Sequence, residues 1–327
     1  MERFIIGIDV GGTNLKMMIM NEHLEAVSIK SIPTQEETGR KGFLKASRRM
    51  IDELDEMFRT IGVEQPDVAF LVMGLPGIVD KLNNVSLHLP YLEWDGFDPS
   101  AELAEHFHCK SMIENDASVN VFGEYVFGEN KAENMILLTL GTGVGGGIII
   151  NGDVFRGSRN IGGEIGHMVI CADGGENFCG KTGPMEAYCS GSAMKRMASE
   201  EIDNFPDSVV HSYIKEAGEY DNSMITRGLQ AGDLFSIRVM ERFNRYLSIG
   251  ISNIIELFNP ELILIGGGVS KAGDFIMKPI RKLVSESVFS AQLCPIEKAS
   301  LGSDAGMYGA CGLAARQSGM LVSSDRM

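Results

Sequence analysis

The sequence predicts two related domains, each built from strands and helices. The chain has 327 residues, and division by a typical domain of about 150 residues favours two domains. A weak internal repeat supports this division. Residues 4–20 and residues 135–150 each contain an apolar strand, a glycine turn with a threonine, and a second apolar strand.

The order of the elements follows from hydrophobic periodicity. Apolar runs bounded by turn residues predict strands, and apolar residues three and four apart, such as Met50, Leu54 and Met57, predict helices. Residues 151–191 are glycine-rich with little periodicity, so we interpret them as functional loops. The predicted strands are residues 4–9, 15–20, 24–32, 67–73, 110–114, 135–140, 148–150 and 261–265. The predicted helices are residues 42–61, 101–107 and 117–127, several helices between residues 192 and 258 of which the last is 243–258, and residues 305–317.

Composition excludes several classes of protein. With 44% hydrophobic and 22% charged residues, the chain is neither disordered nor a disulfide-stapled miniprotein. A net charge of −15 repels phosphate backbones and anionic lipids, so we expect no nucleic-acid or membrane partner. Six scattered cysteines fit a reducing compartment, and the N-terminus does not resemble a signal peptide. We therefore expect a cytoplasmic protein.

Two glycine-rich turns follow the first strands of the two predicted domains. Glycine lets the backbone approach phosphate oxygens, and backbone N–H groups and a threonine hydroxyl can donate to them. An aspartate at the end of the first strand can hold a hydrated Mg²⁺ near the phosphates. Each turn alone fits an ordinary hairpin equally well, whereas two in matching contexts favour a clamp on a triphosphate. The candidate residues are Asp9, Gly11, Gly12, Thr13 and Asn14 in the first turn, and Gly141, Thr142, Gly143 and Gly145 in the second.

A third glycine run, Gly266, Gly267 and Gly268, follows the predicted strand 261–265. Without side chains, this backbone can lie against a flat adenosine. By itself, the run is more typical of a turn between a strand and a helix.

Polar residues at two further places are candidates for chemistry on an alcohol. Asp116 follows Asn115 where a strand runs into a helix. Its carboxylate can take the proton of a hydroxyl in phosphoryl transfer, or simply cap the helix. Glu164, His167 and Glu186 lie in glycine-rich sequence. They can bind several hydroxyls of one sugar, or they are solvated loop charges.

Together these motifs resemble those of the ROK family (repressor, open reading frame, kinase) of sugar kinases. The resemblance runs from residue 4 to about residue 314, and the order and spacing of so many short motifs make it specific. The motifs that carry it include Asp9-Val10-Gly11-Gly12-Thr13, Leu75-Pro76-Gly77, Glu114-Asn115-Asp116-Ala117, Gly163-Glu164-Ile165-Gly166-His167, Met185-Glu186-Ala187-Tyr188 and Gly266-Gly267-Gly268-Val269.

The resemblance implies a pair of α/β domains of the actin-like, ribonuclease-H-like fold with an active site in the interdomain cleft. It implies transfer of the γ-phosphate of ATP, with Mg²⁺, to a hexose hydroxyl, usually the 6-hydroxyl. Asp116 would be the general base, and the backbone at Gly77 would line the site. The glycine turns would take the phosphates, and residues 266–268 the adenosine. The residues expected to hold sugar hydroxyls are Asn115, Glu164, His167 and Glu186.

The predicted lobes are residues 1–116 with 305–327, and residues 117–304. We expect the domains to close over the substrate, with hinges near Ala117 and residues 303–306, and the family suggests a homodimer or homotetramer. Glucose is the leading substrate, and the alternatives are allose, fructose, mannose, N-acetylmannosamine and N-acetylglucosamine. Two other functions stay open: a non-catalytic sugar sensor, and a kinase acting on a non-sugar alcohol.

The sequence departs from the family pattern in three places. Many members bind zinc through a histidine and the pattern Cys-x-Cys-Gly-x-x-Gly-Cys, but here Asn177 and Pro184 replace two of the three cysteines. His167 and Cys179 alone cannot complete a tetrahedral site, so we predict no zinc there. His88 stands where an asparagine commonly touches the sugar, and it either alters hexose choice or packs in the core. No helix-turn-helix precedes residue 4, so we expect no repressor activity.

Overall fold

The computed structural model describes residues 2–34, 38–89, 91–177, 179–289 and 294–321. Its strands lie close to the predicted ones, although four short strands in the list below, β5, β6, β10 and β12, were not predicted from the sequence. The strands are β1 (Arg3–Val10), β2 (Asn14–Asn21), β3 (Ala26–Pro33), β4 (Asp67–Leu75), β5 (Ile78–Asp80), β6 (Val85–His88), β7 (Lys110–Asn115), β8 (Met135–Leu140), β9 (Val144–Ile150), β10 (Asp153–Val154), β11 (Leu262–Gly266) and β12 (Ile296–Lys298).

Two five-stranded sheets share one strand order. The first has the order β3-β2-β1-β4-β7 and the second β10-β9-β8-β11-β12, so the strands of one correspond in sequence order to the strands of the other. In the first sheet β4 pairs in parallel with both β1 and β7. In the second sheet β11 pairs in parallel with both β8 and β12. The internal repeat predicted from the sequence is therefore confirmed as a repeated topology.

The helices surround these sheets. Three elements differ from the predictions. Helix α8 starts earlier than residue 243, and Asp233 Oδ2 accepts a hydrogen bond from the Ser236 N–H at 2.9 Å at its first turn. Helices α4 and α9 were not predicted. The helices are α1 (Gly39–Thr60), α2 (Ala101–His106), α3 (Asp116–Phe127), α4 (Glu186–Cys189), α5 (Gly191–Glu201), α6 (Val210–Ala217), α7 (Ser223–Gln230), α8 (Leu234–Phe258), α9 (Asp274–Ser287) and α10 (Ala305–Ser318). Among the described residues, no helix is both long and apolar enough to cross a bilayer.

The chain forms two compact units, called here the first and second unit. The first unit comprises Met1–Glu133, Gly147–Gly163 and Ser300–Met327. One face of its sheet buries Phe4 and alternate residues of β1 against α1, where the Phe4 and Phe58 rings lie 5.5 Å apart. The other face packs against α10. The second unit comprises Asn134–Gly146 and Glu164–Ala299, and α8 forms its central helix, buried along Phe243, Leu247 and Ile251.

These units divide the chain differently from the predicted lobes, 1–116 with 305–327 and 117–304. Helix α3, predicted to open the second lobe, belongs to the first unit because it packs against α10. The packing is so close at Gly309 that a Cβ atom there would lie 1.6 Å from the Val119 carbonyl oxygen. The chain passes between units near residues 133, 146, 163 and 299, rather than at Ala117 or residues 303–306. The boundary between the units depends on packing between elements that are distant in the sequence, so local sequence patterns do not predict it.

Candidate functional site

The first glycine turn joins β1 to β2 and is exposed at Gly12 and Thr13. The Gly11 N–H donates to the Asn14 carbonyl oxygen at 2.9 Å, so this amide closes the hairpin. The Thr34 hydroxyl holds the turn from the other side by donating to the Gly11 carbonyl oxygen at 2.7 Å. The exposed tip of the turn is therefore the part that can meet a phosphate.

Asp9, near the end of β1, lies against Gly306 in the first turn of α10. Burial raises the pKa of Asp9 to about 6, while Lys16 on the paired strand lowers it and Asp304 raises it further. Lys16 Nζ lies 3.2 Å from Asp304 Oδ1. Mg²⁺ prefers one or two carboxylates plus substrate phosphates, and a bound cation would offset the cost of burying the Asp9 charge. Asp9 and Asp304 therefore fit Mg²⁺, and sequence reasoning missed Asp304 and Lys16.

Asn115, rather than Asp116, caps helix α3. Asn115 Oδ1 accepts from the Ser118 N–H at 3.2 Å, and Asn115 Nδ2 donates to the Gly77 carbonyl oxygen at 3.0 Å. The interpretation of Asp116 as the N-cap is therefore wrong. Asp116 is half-buried in the first turn, where its Oδ1 accepts from the Ala117 N–H at 2.8 Å. The structure thus brings Gly77, Asn115 and Asp116 together at the start of α3.

A buried ion pair supports this strand end. Glu114 is 1% exposed, and its Oε2 accepts from Arg156 Nε at 2.7 Å and Arg156 Nη2 at 2.6 Å. Lys81 Nζ lies 3.6 Å from the same oxygen, and burial, followed by the Arg156 charge, lowers the pKa of Lys81. Glu114 Oε1 also accepts from the Asn115 N–H at 3.1 Å. Sequence reasoning missed Arg156, which is 42 residues from Glu114.

The second glycine turn docks on the start of helix α5. The Gly141 N–H donates to the Gly143 carbonyl oxygen at 3.0 Å, closing the turn much as Gly11 closes the first one. The Gly141 carbonyl oxygen accepts from the Gly191 N–H at 2.7 Å, and the Thr142 carbonyl oxygen accepts from the Ser192 hydroxyl at 2.9 Å. Thr142 is exposed. The turn is therefore held from behind, with its tip accessible.

The same turn holds the side chain of Glu186, the first residue of α4. Glu186 Oε2 accepts from the Val144 N–H at 3.1 Å. A Cβ atom at Gly143 would lie 2.3 Å from this oxygen, so only glycine leaves room for the carboxylate. Gly145 lies further along the chain in β9, where it is half-buried.

His167 lies close to Glu186 in the second unit. It ends the short helical turn Ile165–His167, whose first backbone hydrogen bond runs from the His167 N–H to the Glu164 carbonyl oxygen at 3.1 Å. The Glu164 side chain is exposed. Asn177 Nδ2 lies 3.3 Å from His167 Nδ1 and 3.4 Å from Glu186 Oε1. Asn177 thus connects two of the predicted sugar-binding residues, a role that sequence reasoning did not assign to it.

A cavity of about 770 Å³ lies within the second unit. Its volume is typical of sites for small molecules and cofactors. Of the predicted nucleotide-binding residues in this unit, Gly141, Thr142 and Gly268 line the cavity, while Gly266 is buried at the end of β11. Gly143, Gly145 and Gly267 lie outside the lining. The polar residues that sequence reasoning missed in this lining are Ser192, Lys195, Asp221, Asn222, Ser223, Thr226, Arg227, Gln230 and Lys271.

The residues present do not fit the zinc site of the family pattern. Pro184 offers no side-chain donor atom, and the amide of Asn177 faces His167 Nδ1. In the part of the chain that the structure describes, no group of three or more His, Cys, Asp or Glu side chains could hold a metal ion. The absence of zinc from this site stays a prediction, which elemental analysis of the purified protein can test.

His88 does not pack in the core. It ends β6 with a side chain that is 66% exposed, and its Nδ1 lies 3.6 Å from Asp95 Oδ2. The interpretation as a core histidine is therefore wrong, and its effect on hexose choice stays a prediction.

Comparison with known proteins assigns the family. The model of the ROK family matches residues 5–317, nearly the whole chain. The chain belongs to the ROK family. This ROK protein is 33% identical to a glucokinase of Halalkalibacterium halodurans over 312 residues, which cover 94% of each chain. It is also 26% identical over 291 residues to the xylose repressor of Caldicellulosiruptor bescii, covering 88% of this chain and 71% of the repressor.

Solved structures agree with the family assignment. A ROK glucokinase from Streptomyces griseus, determined in complex with glucose and AMPPNP, matches this ROK protein with a TM-score of 0.77 at 28% identity. The match covers 96% of this chain and 99% of the other. The α/β fold of the actin-like, ribonuclease-H-like class, which the sequence resemblance implied, is confirmed.

Proposed function

We propose that this ROK protein is an ATP-dependent hexose kinase, with glucose as the leading acceptor and the 6-hydroxyl as the group phosphorylated. One observation carries the proposal. Gly141 and Thr142 line the 770 Å³ cavity, and the next residues of the same turn hold the Glu186 carboxylate. Phosphoryl transfer needs its donor and acceptor positioned side by side. A turn that borders a nucleotide-sized cavity and also orients a candidate sugar ligand suits this need.

The relatives support the same reaction. The Halalkalibacterium halodurans protein is a glucokinase, and the Streptomyces griseus enzyme was solved with glucose and the ATP analogue AMPPNP. ATP would occupy the cavity of the second unit, where Lys195, Arg227 and Lys271 offer positive charge to an anionic ligand. When bound, Mg²⁺ held by Asp9 and Asp304 would neutralise charge on the phosphates.

In the proposed reaction, the sugar hydroxyl oxygen forms a bond to the γ-phosphorus. The bond from this phosphorus to the β–γ bridging oxygen breaks, and ADP leaves with that electron pair. Asp116 accepts the hydroxyl proton and releases it to solvent later. Asn115 holds the Gly77 carbonyl beside the start of α3, while Glu164, His167 and Glu186 bind other hydroxyls of the sugar. Glu114 and Arg156 keep the strand end that carries Asn115 in place.

The test is a coupled assay of ADP release with a panel of sugars. The panel contains glucose, mannose, fructose, allose, N-acetylglucosamine and N-acetylmannosamine. We expect turnover with at least one hexose, and a loss of about 10²–10⁴-fold in kcat for Asp116→Asn and Asp116→Ala, the range that a general base contributes. Asp67→Asn, at the exposed start of β4, is the matched control. Full turnover of folded Asp116→Ala would refute the role of this carboxylate.

A second candidate is a sugar-binding protein without kinase activity, favoured by the similarity to xylose repressors. It predicts calorimetric binding of a hexose with no ADP release in the same buffer. The assembly suggested by the family, a homodimer or homotetramer, stays a prediction that light scattering can test.

A further inference from the structure

The side chain of Asn177 holds one turn of the loop between His167 and Glu186. Its Oδ1 accepts from the Cys179 N–H at 3.1 Å and from the Lys181 N–H at 3.0 Å. The backbone closes the same turn, because the Asn177 N–H donates to the Lys181 carbonyl oxygen at 3.0 Å. The carbonyl end of this amide is therefore committed to two backbone donors.

This commitment decides which way the amide points. Since Oδ1 must face the two N–H groups, the NH₂ group faces the opposite way, toward His167 Nδ1 at 3.3 Å and Glu186 Oε1 at 3.4 Å. An amide nitrogen carries two protons, so it can donate one to each partner. A flipped amide would place an oxygen against a carboxylate and leave both loop N–H groups facing a donor. The orientation is thus determined by chemistry at both ends.

Donation to Nδ1 also selects the tautomer of His167. A neutral imidazole that accepts at Nδ1 carries its proton on Nε2, so Nε2–H becomes the group that can donate to a ligand oxygen. Glu186 is held at both oxygens, by Asn177 at Oε1 and by the Val144 N–H at Oε2. Each carboxylate oxygen keeps a further lone pair for a hydroxyl proton. The result is one oriented donor beside one oriented acceptor.

We propose that Asn177 is a positioning residue for sugar recognition, which sets His167 as an Nε2–H donor and Glu186 as an acceptor for neighbouring hydroxyls of the substrate. The amide of Asn177 connects the loop backbone to the side chains of both His167 and Glu186. The residues of this site do not fit zinc. The inference rests on the proposed function, since it assigns the sugar to these two residues. It requires a substrate with at least two hydroxyls within reach, which favours a polyol or sugar over a simple alcohol.

The substitution Asn177→Asp tests the donor end of the amide separately from its acceptor end. The carboxylate keeps an acceptor for the Cys179 and Lys181 N–H groups, but it replaces the donor with an oxygen facing Glu186. We expect the variant to fold. Its affinity for glucose, measured by calorimetry without nucleotide, should fall at least about tenfold, because hydrogen bonds to charged groups are lost. The KM for the sugar should rise by the same factor, while the KM for ATP stays within about twofold.

Asn204→Asp is the matched control, because it makes the same change of charge at an exposed asparagine of the same unit. Wild-type glucose affinity in Asn177→Asp would overturn the proposal. So would one zinc per purified chain whose removal abolishes sugar binding. A wild-type protein that binds a hexose but releases no ADP overturns the kinase alone, whereas one that binds no hexose in the panel overturns both proposals.

A second measurement does not depend on the folding of a variant. Nitrogen NMR of the wild-type imidazoles, with the His167 signals assigned by their absence in His167→Gln, reports which ring nitrogen carries the proton. We expect the Nε2–H form at a pH where the ring is neutral. The Nδ1–H form would overturn the proposal.

Discussion

A methyl group at Gly143 is expected to weaken sugar binding while leaving the fold stable. In Gly143→Ala the new Cβ would lie 2.3 Å from Glu186 Oε2 and 3.3 Å from Glu186 Cδ, closer than van der Waals contact. The atoms it meets are the end of a flexible side chain, which can swing away. We therefore expect the protein to fold, with a fall in the free energy of unfolding of no more than about 3 kcal/mol, the upper value for losing a hydrogen bond to a charged group.

The substitution also changes the position of the carboxylate. To avoid the methyl group, Glu186 must give up the 3.1 Å hydrogen bond from the Val144 N–H. A hydrogen bond to a charged group contributes about 1.5–3 kcal/mol, and each 1.4 kcal/mol is about a factor of ten in affinity. If that bond is what orients Glu186 toward the sugar, glucose affinity should fall by about 10–100-fold.

The assay is calorimetric titration of glucose without nucleotide, alongside urea unfolding. Gly175→Ala is the matched control, because its new Cβ would meet Arg196 Nη2 at 3.6 Å, an ordinary contact. Wild-type glucose affinity in folded Gly143→Ala would refute the reasoning, since it would mean that the sugar does not depend on where this turn holds Glu186.

Two further predictions concern buried charge in the first unit. The folded-state pKa of Asp9, about 6, lies above its ordinary value of 3.8, so its protonated form stabilises the fold at low pH and that stability is lost as the pH rises through about 6. Relative to Asp9→Asn, the wild type should lose up to about 3 kcal/mol of unfolding free energy between pH 4 and pH 7, and parallel urea-unfolding profiles would contradict this. Arg156→Ala should lower the unfolding free energy by about 3 kcal/mol, because it removes the close charge partner of the buried Glu114 carboxylate and leaves it with Lys81 at 3.6 Å and the Asn115 N–H at 3.1 Å. The control Lys278→Ala removes one member of an exposed ion pair and should change the unfolding free energy by less than about 0.5 kcal/mol. Equal effects of the two variants would show that Arg156 does not stabilise the buried Glu114 carboxylate.

The strands and turns could be predicted from the sequence because their signals are local. Apolar runs and glycines report backbone geometry within a few residues, so β1, β2, β8 and the two glycine turns were found close to their observed positions. The hairpin of β5 and β6 was missed because each strand is only three or four residues long. Helix α8 was predicted too short, since its first turns carry exposed and charged residues among the apolar ones.

In the candidate site, too, some features have a local signal in the sequence and others do not. Asp116 was found as part of a short motif, but which residue caps α3 depended on where the Asn115 side chain finds its partners. The basic residues of the cavity, Lys195, Arg227 and Lys271, are scattered over α5, α7 and the segment after β11. No spacing in the sequence connects them.

By itself, the sequence determined the repeated strand–turn–strand openings, the family, and the residue types that a phosphoryl transfer to a sugar needs. Only the tertiary structure decided that α3 belongs with α10, that Arg156 neutralises Glu114, and that Asn177 lies between His167 and Glu186. The physical reason is that backbone periodicity is set by neighbours along the chain. Burial, charge pairing and hydrogen-bond direction are set instead by groups that meet only when distant segments pack.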